Sequence, residues 1–354
     1  MKILDRYLAG AVIVGTLLTV GVLLPLLGFF LLADEMDEVG RNGYRFADAL
    51  LFVTLSMPRY LYQAFPLATL IGSLIGLGTL ASRSELVAMR AAGVSIGRIV
   101  HAAIKGGALL AVVAVVIGEG VAPIAERKGL QWRAEAQLGP VTLLSEHGFW
   151  ARDGNAYVNI RDIRSGAHLY DIHIYEFDQE LQLHRATYAE HAAYTEDSWI
   201  LRGISQSTLD AGRIRTSHVG HTGWNSLLDP GLLKIVVNEP HVLSVWELLR
   251  YVRYMTANGQ DARSYQVAFW GKVIQPFLIL AMIFVSIPIV LASVRTSGLG
   301  SRIFLGILVG IAFYLISRTF SYVALLYGMN PLVATLITPL IFLAMAFRIL
   351  QRVG

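Results

Sequence analysis

The pentapeptide Gly93-Val94-Ser95-Ile96-Gly97 spells the Gly-x-Ser-x-Gly pattern in which a strained strand-to-helix turn presents a nucleophilic serine. That chemistry needs a strand of an α/β sheet in front of the serine. Here the motif sits between two long apolar stretches, so Ser95 is expected to serve structure. His218 and His221 are the next candidates, as metal ligands. Their i,i+3 spacing belongs to a helix, whereas the segment reads as strand and turn and arranges no carboxylate or cysteine shell around them. Neither a Gly-x-x-x-x-Gly-Lys-Ser/Thr phosphate cradle nor a His-Glu-x-x-His pair occurs, which argues against ATP hydrolysis by this chain and against a zinc hydrolase. No residue is assigned a catalytic role and no metal site is expected. Few charges lie inside apolar stretches: Lys105, the peripheral Glu119 and Arg318. Proton- or ion-coupled transporters usually carry more intramembrane carboxylates than this.

One short charged segment stands out, Ser82-Arg83-Ser84-Glu85-Leu86-Val87-Ala88-Met89-Arg90-Ala91-Ala92-Gly93. Ser82 or Ser84 can cap a helix here and Glu85 suits its first turn. Leu86, Met89 and Ala92 fall near one face, and Gly93 ends it. Arg83, Ser84, Glu85, Leu86, Met89, Arg90 and Gly93 together make a docking element for another protein. The plainer reading is a connector lying on lipid.

The elements that must position these groups are six long apolar stretches, three before and three after a polar block of about 145 residues. Leu8 to Ala33, Tyr60 to Ser82 and Val273 to Val294 carry no charge. A third span is expected over Ile99 to Val121. A fifth begins near Ile303 and is separated from the sixth by Tyr327-Gly328-Met329-Asn330-Pro331. Hydrophobic residues make up 55% of the 354, and the net charge of +4 is spread over loops, which speaks for a membrane protein and against nucleic-acid binding. Lys2, Arg6, Arg83, Arg90, Arg98, Arg295, Arg302, Arg348 and Arg352 all fall on one side of the six spans, so both termini are expected in the cytoplasm and the polar block outside it. With no cysteine, that block must be held by its own core. Its runs alternate with period two, and Asp153-Gly154-Asn155 marks a hairpin between Phe149–Arg152 and Ala156–Ile160. Further strands are expected at 172–177, 181–194, 199–208 and 213–219, giving an antiparallel sandwich or open barrel, then a short helix from Val245 ending at Asn258-Gly259. The division expected is 1–121 for three spans, 122–271 for the exported all-β domain with flanking helical segments, and 272–354 for three more spans.

At Leu4-Asp5-Arg6-Tyr7, Arg83–Met89 with Ala92-Gly93, Gly118-Glu119 with Ala122-Pro123, Trp132-Arg133-Ala134, Trp150–Gly154 and Trp270–Pro276 the chain resembles the LptF/LptG family of lipopolysaccharide-export permeases, with the opening motifs closer to the LptG branch. The resemblance implies a transmembrane subunit of an ABC-type exporter that extracts lipopolysaccharide from the outer leaflet of a Gram-negative inner membrane. It also implies an LptF-like sister permease, an LptB-like ATPase dimer that binds the ATP and Mg, an LptC-like bitopic protein and an LptA-like periplasmic bridge. The chain itself would need no cofactor. Its inserted domain would be a periplasmic β-jellyroll. For a diphosphorylated, acylated substrate the candidate phosphate contacts are Arg127, Lys128, Arg133, Lys272 and Arg318. Tyr157 and Ile174 are expected to face inward along the lipid path. Relatives often carry lysines after span one, where this chain has Leu31, Asp37 and Glu38. The rival reading is a membrane-anchored periplasmic binding or scaffold protein that transports nothing.

Overall fold

The computed structural model describes residues 3–41, 43–138, 149–164, 168–178, 180, 182–195, 198–210, 213–224, 240–292 and 299–353. The chain divides into a helical unit, residues 1–137 with 263–354, and a second unit, residues 138–262.

In the helical unit α1 runs from Ile3 to Glu35, α2 from Phe46 to Ser82, α3 from Glu85 to Ala91 and α4 from Ile96 to Val115. A π-helical segment, Val116–Val121, leads into α5, Ala122–Leu138. Six of the helical segments are long and apolar enough to cross a membrane. The third does not stop at Val121. It continues to Gln137, and the two compact units divide at 137/138 and 262/263. The π segment has a local cause: Pro123 has no N–H to give the carbonyl four residues back, and its ring crowds that carbonyl. Of the charges beyond it, which look like a span end in sequence, Glu126, Arg127 and Arg133 are held by partners described below.

α2 is the central helix, with 78% of its most apolar window buried. Glycines bring α1 onto it: a Cβ at Gly15 would overlap the Gly72 carbonyl, and one at Gly76 would overlap the Ala11 carbonyl. Gly72-x-x-x-Gly76 is thus an intrachain seam. The equivalent pair on a later helix, Gly306 and Gly310, receives Leu74 and Leu67 of α2, again within the chain. Ser95 is the N-cap of α4, its hydroxyl accepting from the Arg98 N–H at 3.3 Å, which gives the Gly-x-Ser-x-Gly serine its structural role.

The second unit carries β1 (Phe149–Asp153), β2 (Ala156–Arg164), β3 (His168–Phe177), β4 (Leu183–Thr195), β5 (Ser198–Asp210) and β6 (Arg213–Trp224). They form one antiparallel sheet in sequence order. Residues 139–148 and 225–239 lie outside the described residues. The β1–β2 hairpin turns on Gly154 at φ 61°. Val158, Ile160, Ile172, Ile174, Ala189 and Ile204 are buried on one face. A row of left-handed residues kinks the sheet, Asp171 (φ 53°) on β3 and Gly203 (φ 64°) on β5, both opposite Glu190. It resets the alternation, so Leu169, Ala192 and Leu201 beyond the kink are buried as well.

Helix α6, Val245–Ala257, starts with a capping box, Ser244 and Glu247 exchanging hydrogen bonds. It is tied to the hairpin by Tyr254, whose hydroxyl donates to the Arg152 carbonyl at 2.9 Å, and by Asn258, whose side chain accepts from the Gly154 N–H at 3.2 Å. Burial pushes the Tyr254 phenol up to about 12, so it stays a donor at neutral pH. The last helices are α7 (Arg263–Ala292), α8 (Leu299–Tyr327) and α9 (Pro331–Val353), and α7 and α9 pack together.

One titration follows from the sheet. His191 stands between Tyr170 and Arg202 in register, with the His168 ring stacked 5.7 Å away. Burial, then His168 and Arg202, hold its pKa below the ordinary 6.5. The unfolded chain therefore binds this proton more readily, so local stability is complete above about pH 6.5 and falls as pH drops below it toward the lowered value. Amide exchange of β4 and β5 in the full chain, corrected for intrinsic rates, is expected to quicken between pH 7.5 and 5.5. His191→Phe should remove that change; an equal quickening in the variant would rule His191 out.

Candidate coupling platform and cation sites

At the end of the bundle that carries the N-terminus, α3 is a seven-residue helix set between two left-handed residues, Ser84 (φ 61°) and Gly93 (φ 87°). Ser84 is the N-cap residue, but its side chain makes no cap hydrogen bond, contrary to the capping expected. A left-handed cap turns the chain sharply after α2. Leu86 is 2% exposed and joins the bundle core, with Met89 packed against it. Truncating Leu86 would remove a core contact worth about 2–5 kcal/mol rather than a partner's contact surface. Val87, Ala88, Arg90 and Ala91 face outward, as does Arg83. Glu85 accepts a 2.6 Å hydrogen bond from the Tyr7 hydroxyl of α1. Beneath it Asp5, 7% exposed, receives Lys105 Nζ at 2.8 Å with Arg98 Nε at 3.9 Å. Arg302, also buried, donates to the Gly78 carbonyl near the end of α2 at 3.0 Å. Arg295 lies outside the described residues.

The opposite end carries the cations. Arg133 on α5 pairs with Glu35 of α1 at 2.7 Å, and its guanidinium lies 5.1 Å from the Phe52 ring centroid. Glu35 is 4% exposed and also accepts from Tyr44 at 2.9 Å. Burial, helped by that carboxylate, pushes the Tyr44 phenol well up and keeps it protonated. About two turns earlier on α5, Glu126 receives Arg59 of α2 at 3.1 Å. Trp132 donates to Asp48, which also accepts the Arg45 N–H at the start of α2. Arg127 bonds back to the Pro123 carbonyl at 3.0 Å, and Lys128 is exposed. Lys272 on α7 pairs with Glu119 of the π segment at 3.1 Å and lies beside the Tyr62 ring. A Cβ at Gly118 would overlap that same ring, so the glycine lets the segment approach. The structure thus brings Lys272 to one acid and Arg133 to another, while Arg127 and Lys128 remain on α5.

Arg318 stands apart. It lies on α8 about 28 Å from Leu299 at 1.5 Å per residue, within the third of the helix nearest Tyr327. It is exposed, with the Tyr314 hydroxyl at 3.4 Å and that ring beneath its guanidinium. Among the described residues no carboxylate pairs with it, and Glu119, which sequence offers as a partner, is held by Lys272.

Tyr157 and Ile174 do not share a face. Val158 pairs with Ile174 and Tyr157 with Tyr175, so strand alternation puts Ile174 (4% exposed) in the buried layer and Tyr157 (38%) on the other side, where Arg152 and Phe177 meet its ring. On β6, His218 bonds Ser205, and His221 lies opposite Arg202.

Asp5, Glu35, Arg59, Glu126 and Arg302 carry much of this polar framework and stood unremarked in sequence as functional groups. Their one signal was position, since each lies next to or inside an apolar stretch that could not leave it unpartnered.

Six spans with an inserted antiparallel domain and a short helix between spans two and three define a multi-pass membrane protein. The chain matches the family described as lipopolysaccharide export system permease LptF/LptG over residues 6–352, and it belongs to that family. It is 34% identical over 352 residues to the lipopolysaccharide export system permease protein LptG of Haemophilus influenzae, covering 99% of this chain and 98% of that one. To the protein of the same description from Escherichia coli K12 it is 31% identical over 353 residues, with the same coverage. Family and spans together make it a multi-pass protein of the inner membrane.

Proposed function

We propose that this permease subunit works by receiving an ATPase on α3 and lipopolysaccharide at the opposite end of its bundle. The observation that carries the reading is α3 itself, a short helix pinned by Leu86, hinged at Ser84 and Gly93, and presenting Val87 at 47% exposure beside Arg83 and Arg90. A binding or scaffold protein that transports nothing would have no use for such an element. In this reading the termini and α3 lie in the cytoplasm, as the arginines at that end favour, and the β-sheet unit lies in the periplasm. ATP and Mg belong to an LptB-like dimer. An LptF-like sister completes the membrane pair, and LptC-like and LptA-like proteins take the lipid onward. No cofactor is needed in this chain.

Lipid A phosphates would meet Lys128 and Arg318 directly, because both present their charge outward. Arg133 and Lys272 already hold Glu35 and Glu119, so a phosphate reaches them by displacing a carboxylate. That exchange keeps the empty site neutral and makes binding reversible. Arg127 is the fifth candidate on this surface. Ile174, on the buried layer of the sheet, suits an acyl-chain path; Tyr157 does not.

The docking half is tested by Val87→Glu, which places a charge on the outward face of α3. Recovery of the ATPase with the solubilised chain is expected to fall about tenfold while insertion of this chain is unchanged. Full ATPase recovery with normal transport would reject α3 as the platform.

A further inference from the structure

The Tyr7–Glu85 bond joins residues 78 positions apart, the first turns of α1 and of α3. Tyr7 is 47% exposed, so the bond is not a by-product of close packing; the ring reaches along the surface to the carboxylate. Glu85 opens α3, where a carboxylate would ordinarily serve its own helix's unbonded N–H groups. Here it accepts from another helix instead, and Ser84, in the left-handed region, leaves that cap unmade. The side-chain seat of α3 is Leu86 with Met89, apolar contact without directional preference. A seven-residue helix hinged at φ 61° and φ 87° can tilt over such a seat, and the tether that would carry the tilt elsewhere is the hydroxyl–carboxylate bond.

What it carries to is stiff. Two residues before Tyr7, Asp5 is buried and bound to Lys105 and Arg98 of α4. Beyond it, Leu8 and Val12 are fully buried, and Gly15, about two turns on, meets the Gly72 carbonyl of α2. A pull on the first turn of α1 is therefore transmitted along a packed helix rather than absorbed at a loose end.

We propose that Tyr7 is a positioning residue for transport: it transmits displacement of α3 to α1, so that the power stroke reaches the membrane helices through the Tyr7–Glu85 bond. The proposal rests on α3 being the ATPase platform. Removing only the hydroxyl, as in Tyr7→Phe, leaves Glu85 solvated and the fold intact.

The measurement is lipopolysaccharide released per ATP hydrolysed by the complete transporter in proteoliposomes. Tyr7→Phe is expected to lower that ratio at least threefold, with chain level and ATPase recovery unchanged. Adding Glu85→Ala, which removes the acceptor, should lower it little further, since both changes cut one bond. The chain has no cysteine, so Tyr7→Cys with Glu85→Cys can be joined by a bismaleimide in an otherwise unaltered chain, and the link is expected to restore the ratio. A wild-type ratio in Tyr7→Phe overturns the proposal, as does loss of ATPase recovery in that variant or a cross-link that restores nothing. Failure of the underlying docking reading shows separately, as a Val87→Glu chain that keeps its ATPase.

Discussion

Export is expected to stop, at least tenfold below wild type, in an Arg318→Glu chain that still inserts, assembles and lets its ATPase turn over. Arg318 sits well inside α8 with an exposed guanidinium and two tyrosines, Tyr314 and Tyr322, exposed on the same helix. A guanidinium at that depth is costly unless a wet cavity or an anion receives it. Its cation–π and hydroxyl contacts to Tyr314 orient the group without neutralising it. A lipid phosphate would neutralise it; a carboxylate in its place would repel that phosphate. Arg318→Lys, which keeps the charge and loses the planar fork, should fall between wild type and Arg318→Ala. Because Glu119 is paired with Lys272, losses of stability from Glu119→Ala and Arg318→Ala are expected to add. Wild-type export by Arg318→Glu would end the phosphate assignment, and strong non-additivity would return Arg318 to a structural pairing.

The second large effect is structural. Leucine at Gly72 is expected to leave almost no folded chain in the membrane, because a single Cβ there already overlaps the Thr16 backbone. Overpacking a close seam costs roughly 1–3 kcal/mol even when side chains can move, and backbone cannot. Gly21→Leu, on the exposed side of α1 with nothing within 4 Å of its Cβ position, is the matched control and should accumulate normally. Equal accumulation of the two variants would mean that α1 does not lie on α2 in the membrane.

Much of the architecture was legible because it depends on local pattern. Charge-free stretches marked the spans, period-two runs marked six strand cores within a few residues, and Gly93, Gly154 and Gly259 fell where the backbone turns left-handed. What was illegible depends on residues far apart. Glu126, Arg127 and Lys128 looked like the end of span three, yet the helix runs on because Arg59, some 67 positions earlier, neutralises Glu126. Arg133 and Lys272 read as open cations, and only the fold shows Glu35 and Glu119 against them. Tyr157 and Ile174 both read as inward-facing from alternation alone, since which of them points inward depends on hairpin register and a slip of one residue reverses it. The docking helix was legible as an element; the bond from Tyr7 that holds it was not, because nothing local requires it.

The π segment at Val116–Val121 sets the azimuth of everything that follows it on the same helix. One residue more or fewer in a helical turn rotates the downstream side chains by about 100°. With the wider turn in place, Glu126 looks at Arg59, Trp132 at Asp48 and Arg133 at Glu35. In an uninterrupted helix that column would point about a quarter-turn away, and Glu126, Glu35 and Asp48 would lose Arg59, Arg133 and Trp132. The aim of the whole basic column on α5 is thus indexed by a single wide turn, at the point where Glu119 grips Lys272.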